Sequence, residues 1–237
     1  MQRVSIASTQ KYNNKIMLNQ HQKHYLCRVL RLGKGDRFIA IDGRGKSWLA
    51  ELTASTSARI IEALVQDTEL GVEVTLMVAL PKGNGFDNIV RSCTELGASS
   101  FVTVGSDRTL LKPSAHKLSR WRKIATEAAE QSERQIVPEV KAITDFVTAC
   151  DLNHQLAPNR YLCLGRGRAP HLLHRLENRL SGNIIIATGP EGGWSEGEIE
   201  IGCGSGFQPV SLGKRILRSI TAPIFAMSLV AATLEQK

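Results

Sequence analysis

The chain has 237 residues, 42% hydrophobic and 22% charged, with a formal net charge of +8 and a pI near 9.4. That length fits one large or two small domains with a sizeable core, and no apolar run approaches the roughly 18 residues that span a bilayer. Five scattered cysteines with no CxxC, and six histidines with no HExxH, argue against a disulfide framework or a zinc site and for a reducing compartment.

A GxxxxGK[ST] loop and a full GxGxxG are also missing, so P-loop and standard dinucleotide chemistry lack support. The opening MQRVSIASTQKYNN has no apolar segment of the secretory kind, which sets the expectation of a cytoplasmic protein. The basic balance points to a polyanionic partner, most simply nucleic acid. It is uneven: residues 1–70 hold 11 Lys+Arg against 6 Asp+Glu.

Residues 1–70 lack regular strand–helix alternation. One helical pattern runs from Leu18 to Leu32, with Tyr25, Leu26, Val29 and Leu30 on one face and His24, Arg28 and Arg31 on the other. Gly33 and Gly35 stop it. Short β-rich runs follow at 38–41, 47–53 and 59–65, the first two joined by a hairpin signal at Asp42-Gly43 with Gly45. This reads as a small β-barrel-like domain with one helix.

From residue 71 the pattern changes to apolar strands alternating with helices, the signature of an α/β domain with a parallel sheet. Strands are expected at 74–80, 101–104, 161–164, 184–187 and 209–212. Helices are expected at 86–96, 119–134 with Ser119 as N-cap, 143–150, 170–180 and 221–234 with Thr221 as N-cap. Gly97 reads as a helix C-cap, and Glu130 with Arg134 as an i, i+4 pair.

The stretch from Asn183 to Thr221 carries most of the functional signal. Twice, a short apolar run ends in a glycine-bearing loop and then a helix signal: NIIIATGPEGGWSEGEIE, and later PVSLGKRILRSIT. Ser195 with Glu198 forms a capping box for the first helix. Glycines let a ligand approach the backbone closely, and such loops build sites at the carboxyl ends of strands.

GPEGGWSEGEIE and LGKRILRSITA together resemble the two cofactor loops of the SPOUT-superfamily RNA methyltransferases, specifically the small-subunit (16S) ribosomal RNA uridine-N3 methyltransferases, whose patterns are GPEGG-[FLW]-S-x-x-E and LG-x-RILR-x-ETA. The match extends over the whole chain. His24, Arg28-Val29-Leu30-Arg31 and Gly35-Asp36 resemble the family's N-terminal segment. Ser106-Asp107-Arg108-Thr109 with Lys112 resembles its TERS-x-x-x-K stretch. Glu130, Gln131, Arg134, Val137 and Pro138 resemble EQ-[CS]-GRxxVPE.

The resemblance implies a PUA-like RNA-binding domain over residues 1–70 and a knotted (trefoil) methyltransferase domain over 71–237. It implies S-adenosylmethionine held by Leu164, Gly165, Thr188, Gly189, Pro190, Glu191, Gly192, Gly193, Leu212, Gly213, Ile216, Leu217 and Arg218. Arg218, Arg108 and Arg134 are the candidates for stabilising charge on uracil, and His24, Arg28, Arg31 and Lys112 for RNA contact. Glu191 reads as structural in preference to a base, and no general base is assigned. A homodimer and a ribosomal RNA or small-subunit partner are implied, with no metal and no membrane. Two alternatives stay open: the same fold acting on another RNA nucleotide, or a catalytically weak RNA-binding assembly factor. The chain departs from the pattern at Glu133, where the family has glycine, at Ile220, where it has glutamate, and at Arg91-Ser92, where it has Gln-Lys.

Overall fold

The computed structural model describes residues 1–109, 113–153, 157–177 and 182–236. Its contacts divide into two compact units: Met1–Glu69 with Ala129–Val137, and Leu70–Ala128 with Pro138–Lys237. A single break near residue 70 omits the return of residues 129–137 to the first unit.

The first unit is a six-stranded sheet. β1 (Arg3–Ser5) runs parallel to β4 (Arg37–Ile41), and β5 (Ser47–Ala54), β6 (Ser57–Leu64), β3 (Lys15–Met17) and β2 (Lys11–Tyr12) continue it in antiparallel order. Alternating side chains such as Phe38, Ala40, Ala50, Leu52, Ala58 and Ile60 fill one core with Ile16 and Leu26. Asn19 caps the short helix α1 (Gln20–Lys23), and its side chain accepts from the Gln22 N–H. The helix then widens into a π-helix over His24–Val29. The chain leaves that helix through Arg31, whose φ of 57° is left-handed, and the Leu32 N–H reaches back to the Leu26 carbonyl at 2.9 Å. A non-glycine residue pays for that conformation, so its placement is over-determined by its surroundings.

The segment 129–137 is held inside this unit by Glu69. Its Oε2 accepts from Arg134 Nη2 (2.6 Å) and Nε (3.1 Å), and its Oε1 accepts from the backbone N–H groups of Gln135 and Ile136. Glu133, the residue in the family's glycine position, adopts the glycine-like φ of 66°. Its carboxylate pairs with buried Arg3 at 2.7 Å, and that guanidinium holds its pKa below the usual carboxylate range. The turn geometry therefore persists with a side chain in place, and the ion pair supplies an anchor glycine lacks.

The second unit is a six-stranded, all-parallel sheet in the order β12 (Gln208–Ser211), β10 (Asn159–Leu164), β11 (Ile184–Thr188), β7 (Val74–Ala79), β8 (Ser100–Gly105), β9 (Glu139–Asp145). β11, β7 and β8 are buried on both faces, which is why they read as continuous apolar runs. One face packs α4 (Phe146–Asn153) and α6 (Glu196–Gly204), with Met77, Ala79, Ile185, Ala187, Phe146, Trp194 and Phe207 in the core. Elsewhere α7 (Thr221–Leu234) packs on β11, on α2 (Gly85–Glu95) and on α5 (Leu172–Glu177). Phe86 stands edge-on to both Phe101 and Trp121, the latter on α3 (Ala115–Gln131). Gly97, φ +98°, ends α2 in a Schellman turn, with the Ala98 N–H on the Cys93 carbonyl.

Several boundaries differ from the sequence reading. α3 begins at Ala115, so Ser119 is not its cap; its hydroxyl bonds back to the Ala115 carbonyl. The stretch 139–145 is an edge strand, and the helix expected from residue 143 starts at Phe146. Asp145 accepts there from the Thr148 N–H (2.8 Å) and hydroxyl (2.6 Å). α5 starts at Leu172, with the end of the expected 170–180 helix outside the described residues. Thr221 is the first helical residue of α7, and the cap position falls on Ile220.

Ile220, in the family's glutamate position, has its own packing site. A Cβ added to Gly85 would lie 2.7 Å from Ile220 Cδ1 and 2.8 Å from its Cγ1. Gly85→Ala is expected to lower stability by about 1–3 kcal/mol through this overpacking. Adding Ile220→Ala should recover most of the loss in a urea-unfolding double-mutant cycle; strictly additive losses would rule out the pair.

Candidate active site

A cavity of about 320 Å³ opens at the carboxyl ends of β8, β10, β11 and β12. That volume lies within the range of small-molecule sites. Its position follows from the sheet: parallel strands point all their connecting loops toward one edge, and ligands bind where those loops gather.

Two glycine loops form most of the wall. The first, residues 188–194, leaves β11 and tightens at a turn in which the Gly193 N–H reaches the Pro190 carbonyl at 2.9 Å, with Gly193 at φ +70°. It ends in the capping box of α6, where Ser195 Oγ accepts from the Glu198 N–H and Glu198 returns a carboxylate oxygen to the Ser195 N–H at 2.8 Å. The second loop follows β12. The Gly213 N–H donates to Ser211 Oγ, and Gly213 takes φ +115°. The loop ends where the Arg218 carbonyl receives the Thr221 and Ala222 N–H groups at the start of α7.

Glu191 ties these loops to a third. Its Oε1 accepts from the Lys82 N–H at 3.0 Å and from Ser219 Oγ at 3.1 Å. Partial burial pushes its pKa up, but these hydrogen bonds and the Lys82 charge outweigh burial and leave it below the usual carboxylate value. Glu191 is therefore an ionised brace. A carboxylate with a lowered pKa stabilises the fold above its unfolded pKa of about 4.3 and loses that contribution as pH falls through the folded value. The melting temperature of wild type minus that of Glu191→Gln should be constant at neutral pH and shrink toward zero below about pH 4. A difference that persists undiminished at low pH would count against the ionised brace.

Two lining residues each carry an enclosed polar atom that lacks a hydrogen-bond partner among the described residues, Thr188 Oγ1 and Trp194 Nε1. Burial pushes the Cys163 thiol, also on the wall, up to about 12, so it stays protonated and unreactive. No histidine lines the cavity, and no cluster of three or more potential metal ligands occurs among the described residues. Among those residues no helix is long and apolar enough to cross a membrane.

Of the sequence-derived cofactor residues, Leu164, Gly165, residues 188–193, Leu212, Gly213, Ile216 and Leu217 line the cavity. Arg218 stands between the lining residues Leu217 and Ser219 but is not itself part of the lining; it is exposed, with no side-chain hydrogen bond or ion pair among the described residues. Arg108 lines the cavity and donates from Nη1 to the Gly192 carbonyl at 2.7 Å and the Trp194 carbonyl at 3.3 Å. Arg134, expected as a third charge-stabilising arginine, is 2% exposed, bonded to Glu69 within the first unit, and absent from the lining. There a buried guanidinium with Nε and Nη2 both held on Glu69 Oε2 has little freedom to meet a substrate. His24, Arg28 and Arg31 are exposed on the first unit. Lys112 lies outside the described residues.

Sequence reasoning did not single out Trp194 and Ser219, and it gave Arg166 and Arg215 no role beyond membership of their loops; all four line the cavity. Trp194 and Ser219 occupy variable positions within the two motifs. Arg166 and Arg215 sit in short cationic loops where nothing in the pattern separates one arginine from the next.

Comparison with known proteins gives a consistent picture. A family model described as an RNA methyltransferase domain matches residues 68–231, and one described as an RNA methyltransferase PUA domain matches residues 18–63. A protein of Synechocystis sp. named Ribosomal RNA small subunit methyltransferase E is 47% identical over 236 residues, covering 98% of this chain and 78% of that protein. The Bacillus subtilis protein of the same name is 30% identical over 226 residues, covering 88% and 86%. The crystal structure of a Ribosomal RNA small subunit methyltransferase E from Neisseria gonorrhoeae bound to S-adenosyl methionine matches with a TM-score of 0.86 and 30% identity, over 96% of this chain and 95% of that one.

Proposed function

Because this chain belongs to the RNA methyltransferase family, we propose that it transfers a methyl group from S-adenosylmethionine to N3 of a specific uridine in small-subunit (16S) ribosomal RNA. The observation that carries this reading is the cavity framed by both glycine loops at the carboxyl edge of a parallel sheet, in a chain 47% identical to a named small-subunit rRNA methyltransferase.

The residues fit that cofactor. The 188–194 loop brings little side-chain bulk to the wall at Gly189, Gly192 and Gly193, and two lining residues, Thr188 and Trp194, each carry an enclosed polar atom with no partner among the described residues. When bound, S-adenosylmethionine supplies an electrophilic methyl on a sulfonium sulfur. The chain's own residues do the rest. The two loops hold the reacting groups together, which supplies much of the rate. Uridine N3 carries a proton at neutral pH, so negative charge spreads onto the uracil carbonyl oxygens as that proton leaves to water. Arg218, exposed and without a side-chain partner among the described residues, stabilises that charge. Arg166 and Arg215 add positive potential at the wall for the RNA.

The same proposal assigns RNA binding to residues 1–70, with His24, Arg28 and Arg31 as its contacts, and methyl transfer to 71–237, where Lys112 adds a further RNA contact. It takes the target base as flipped from its RNA context. It includes a trefoil-knotted second domain, a homodimer, and a cytoplasmic site of action.

The test is methyl transfer from labelled S-adenosylmethionine to small ribosomal subunits lacking the modification, followed by nucleoside mass spectrometry. N3-methyluridine is expected. A different methylated nucleoside would replace the substrate, and no product with cofactor still bound would favour an RNA-binding assembly factor.

A further inference from the structure

Glu198 does more than a capping-box glutamate requires. In a capping box one carboxylate oxygen returns to the N-cap N–H, and Glu198 does this with Oε2 on Ser195 at 2.8 Å. Its other oxygen, Oε1, accepts the N–H of Asp107 at 2.9 Å, on the turn that follows β8. The Asp107 carboxylate in turn accepts from Ser195 Oγ at 2.6 Å. Glu198 is 4% exposed, so both oxygens are satisfied by the protein in a place where an unmet acceptor would be costly.

The turn held this way is rigid in itself. The Ser106 N–H donates to Thr109 Oγ1 at 3.1 Å, and the Thr109 N–H reaches the Ser106 carbonyl at 2.9 Å. It carries Arg108, whose Nη1 is committed to the carbonyls of Gly192 and Trp194. A guanidinium Nη carries two protons, so this nitrogen has none left for a substrate. The arginine stem lies flat on the loop: a Cβ on Gly192 would stand 3.0 Å from Arg108 Cδ and 3.2 Å from its Cβ.

We infer that Arg108 and Glu198 form a brace that sets the shape of the 189–194 loop before any ligand arrives, making both positioning residues for the cofactor site. The inference rests on the cofactor reading above for its effect on affinity. Glutamine at position 198 can still form a capping box, but its amide NH₂ would face one of the two N–H donors that the carboxylate now satisfies. Glu198→Gln therefore separates the brace from the cap.

The experiment compares wild type, Arg108→Ala, Arg108→Lys and Glu198→Gln by amide hydrogen exchange without ligand and by calorimetry and kinetics with S-adenosylmethionine. Expected are faster exchange at Gly193 in Arg108→Ala and Glu198→Gln, roughly tenfold weaker cofactor binding, and a loss that falls on KM for the cofactor more than on kcat. Arg108→Lys, which keeps a donor for the carbonyls, should recover part of the affinity. Unchanged exchange in Arg108→Ala would overturn the brace, as would a fall in kcat with unchanged affinity, which would return Arg108 to the substrate. Altered exchange in variants of a wild type that binds no S-adenosylmethionine would uphold the brace and remove the cofactor reading.

Discussion

Gly192→Val is expected to weaken S-adenosylmethionine binding by roughly ten- to a hundredfold while leaving the fold intact. Gly192 is exposed and its φ is not left-handed, so valine brings no backbone strain of the kind that Gly193 would suffer. The effect is steric. The Cβ alone meets Arg108 Cδ at 3.0 Å, and the two methyl groups of valine need room that the arginine stem occupies. Either the stem moves, releasing the Gly192 and Trp194 carbonyls, or the loop shifts into the cavity. Overpacking of this kind costs about 1–3 kcal/mol, which corresponds to the stated range in affinity if the cofactor site bears it. Calorimetry is the direct measurement. Wild-type affinity in a folded Gly192→Val protein would remove the 188–194 loop from the cofactor site.

Arg218→Ala should lower kcat by about a hundredfold or more, with a melting temperature close to wild type. Loss of one donor that faces developing negative charge costs about 2.7–4 kcal/mol of barrier. The side chain is exposed and unpaired among the described residues, so its removal leaves no buried group unsatisfied, and surface changes of that sort stay within about 0.5 kcal/mol of stability. Its carbonyl, which starts α7, is unaffected by the substitution. Arg218→Lys keeps the charge but loses the planar fork that suits two acceptors, so an intermediate rate is expected. Full turnover by Arg218→Ala on undermethylated subunits would exclude the residue from the chemistry.

The parts of this molecule that a reader of the sequence can find are those whose cause is local. The 184–187 run announces a strand because both faces are buried, and the Ser195–Glu198 pair announces a helix start because the capping contacts span three residues. β9 escapes notice because it is an edge strand with only Val140 buried, so neither alternation nor a continuous apolar run marks it. Ser119 misleads because a serine inside a helix looks the same as one at its end until its hydroxyl is seen bonded to the preceding turn. Arg134 sits in a motif that invites a functional role, yet its partner, Glu69, is remote in the chain and no spacing rule connects them. The same holds for Ile220, whose departure from the family pattern is absorbed by Gly85 on a different helix. The glycine loops are legible as turns at strand ends that line one cavity, but the division of labour among the arginines around them depends on which carbonyls lie within reach.

The register of the second sheet also governs when the site can exist. Val74 lies opposite Ile184, and the cavity wall draws on residues from Arg108 to Ala222. Pairings this distant in sequence form late, because the chain between them must be ordered first. During synthesis, then, nearly the whole second unit must leave the ribosome before there is any pocket to fill. A ligand stabilises only a state that can bind it. Raising the cellular supply of S-adenosylmethionine should thus protect the finished protein from heat and proteolysis, yet do nothing for a nascent chain that stalls or aggregates before its last strand is made.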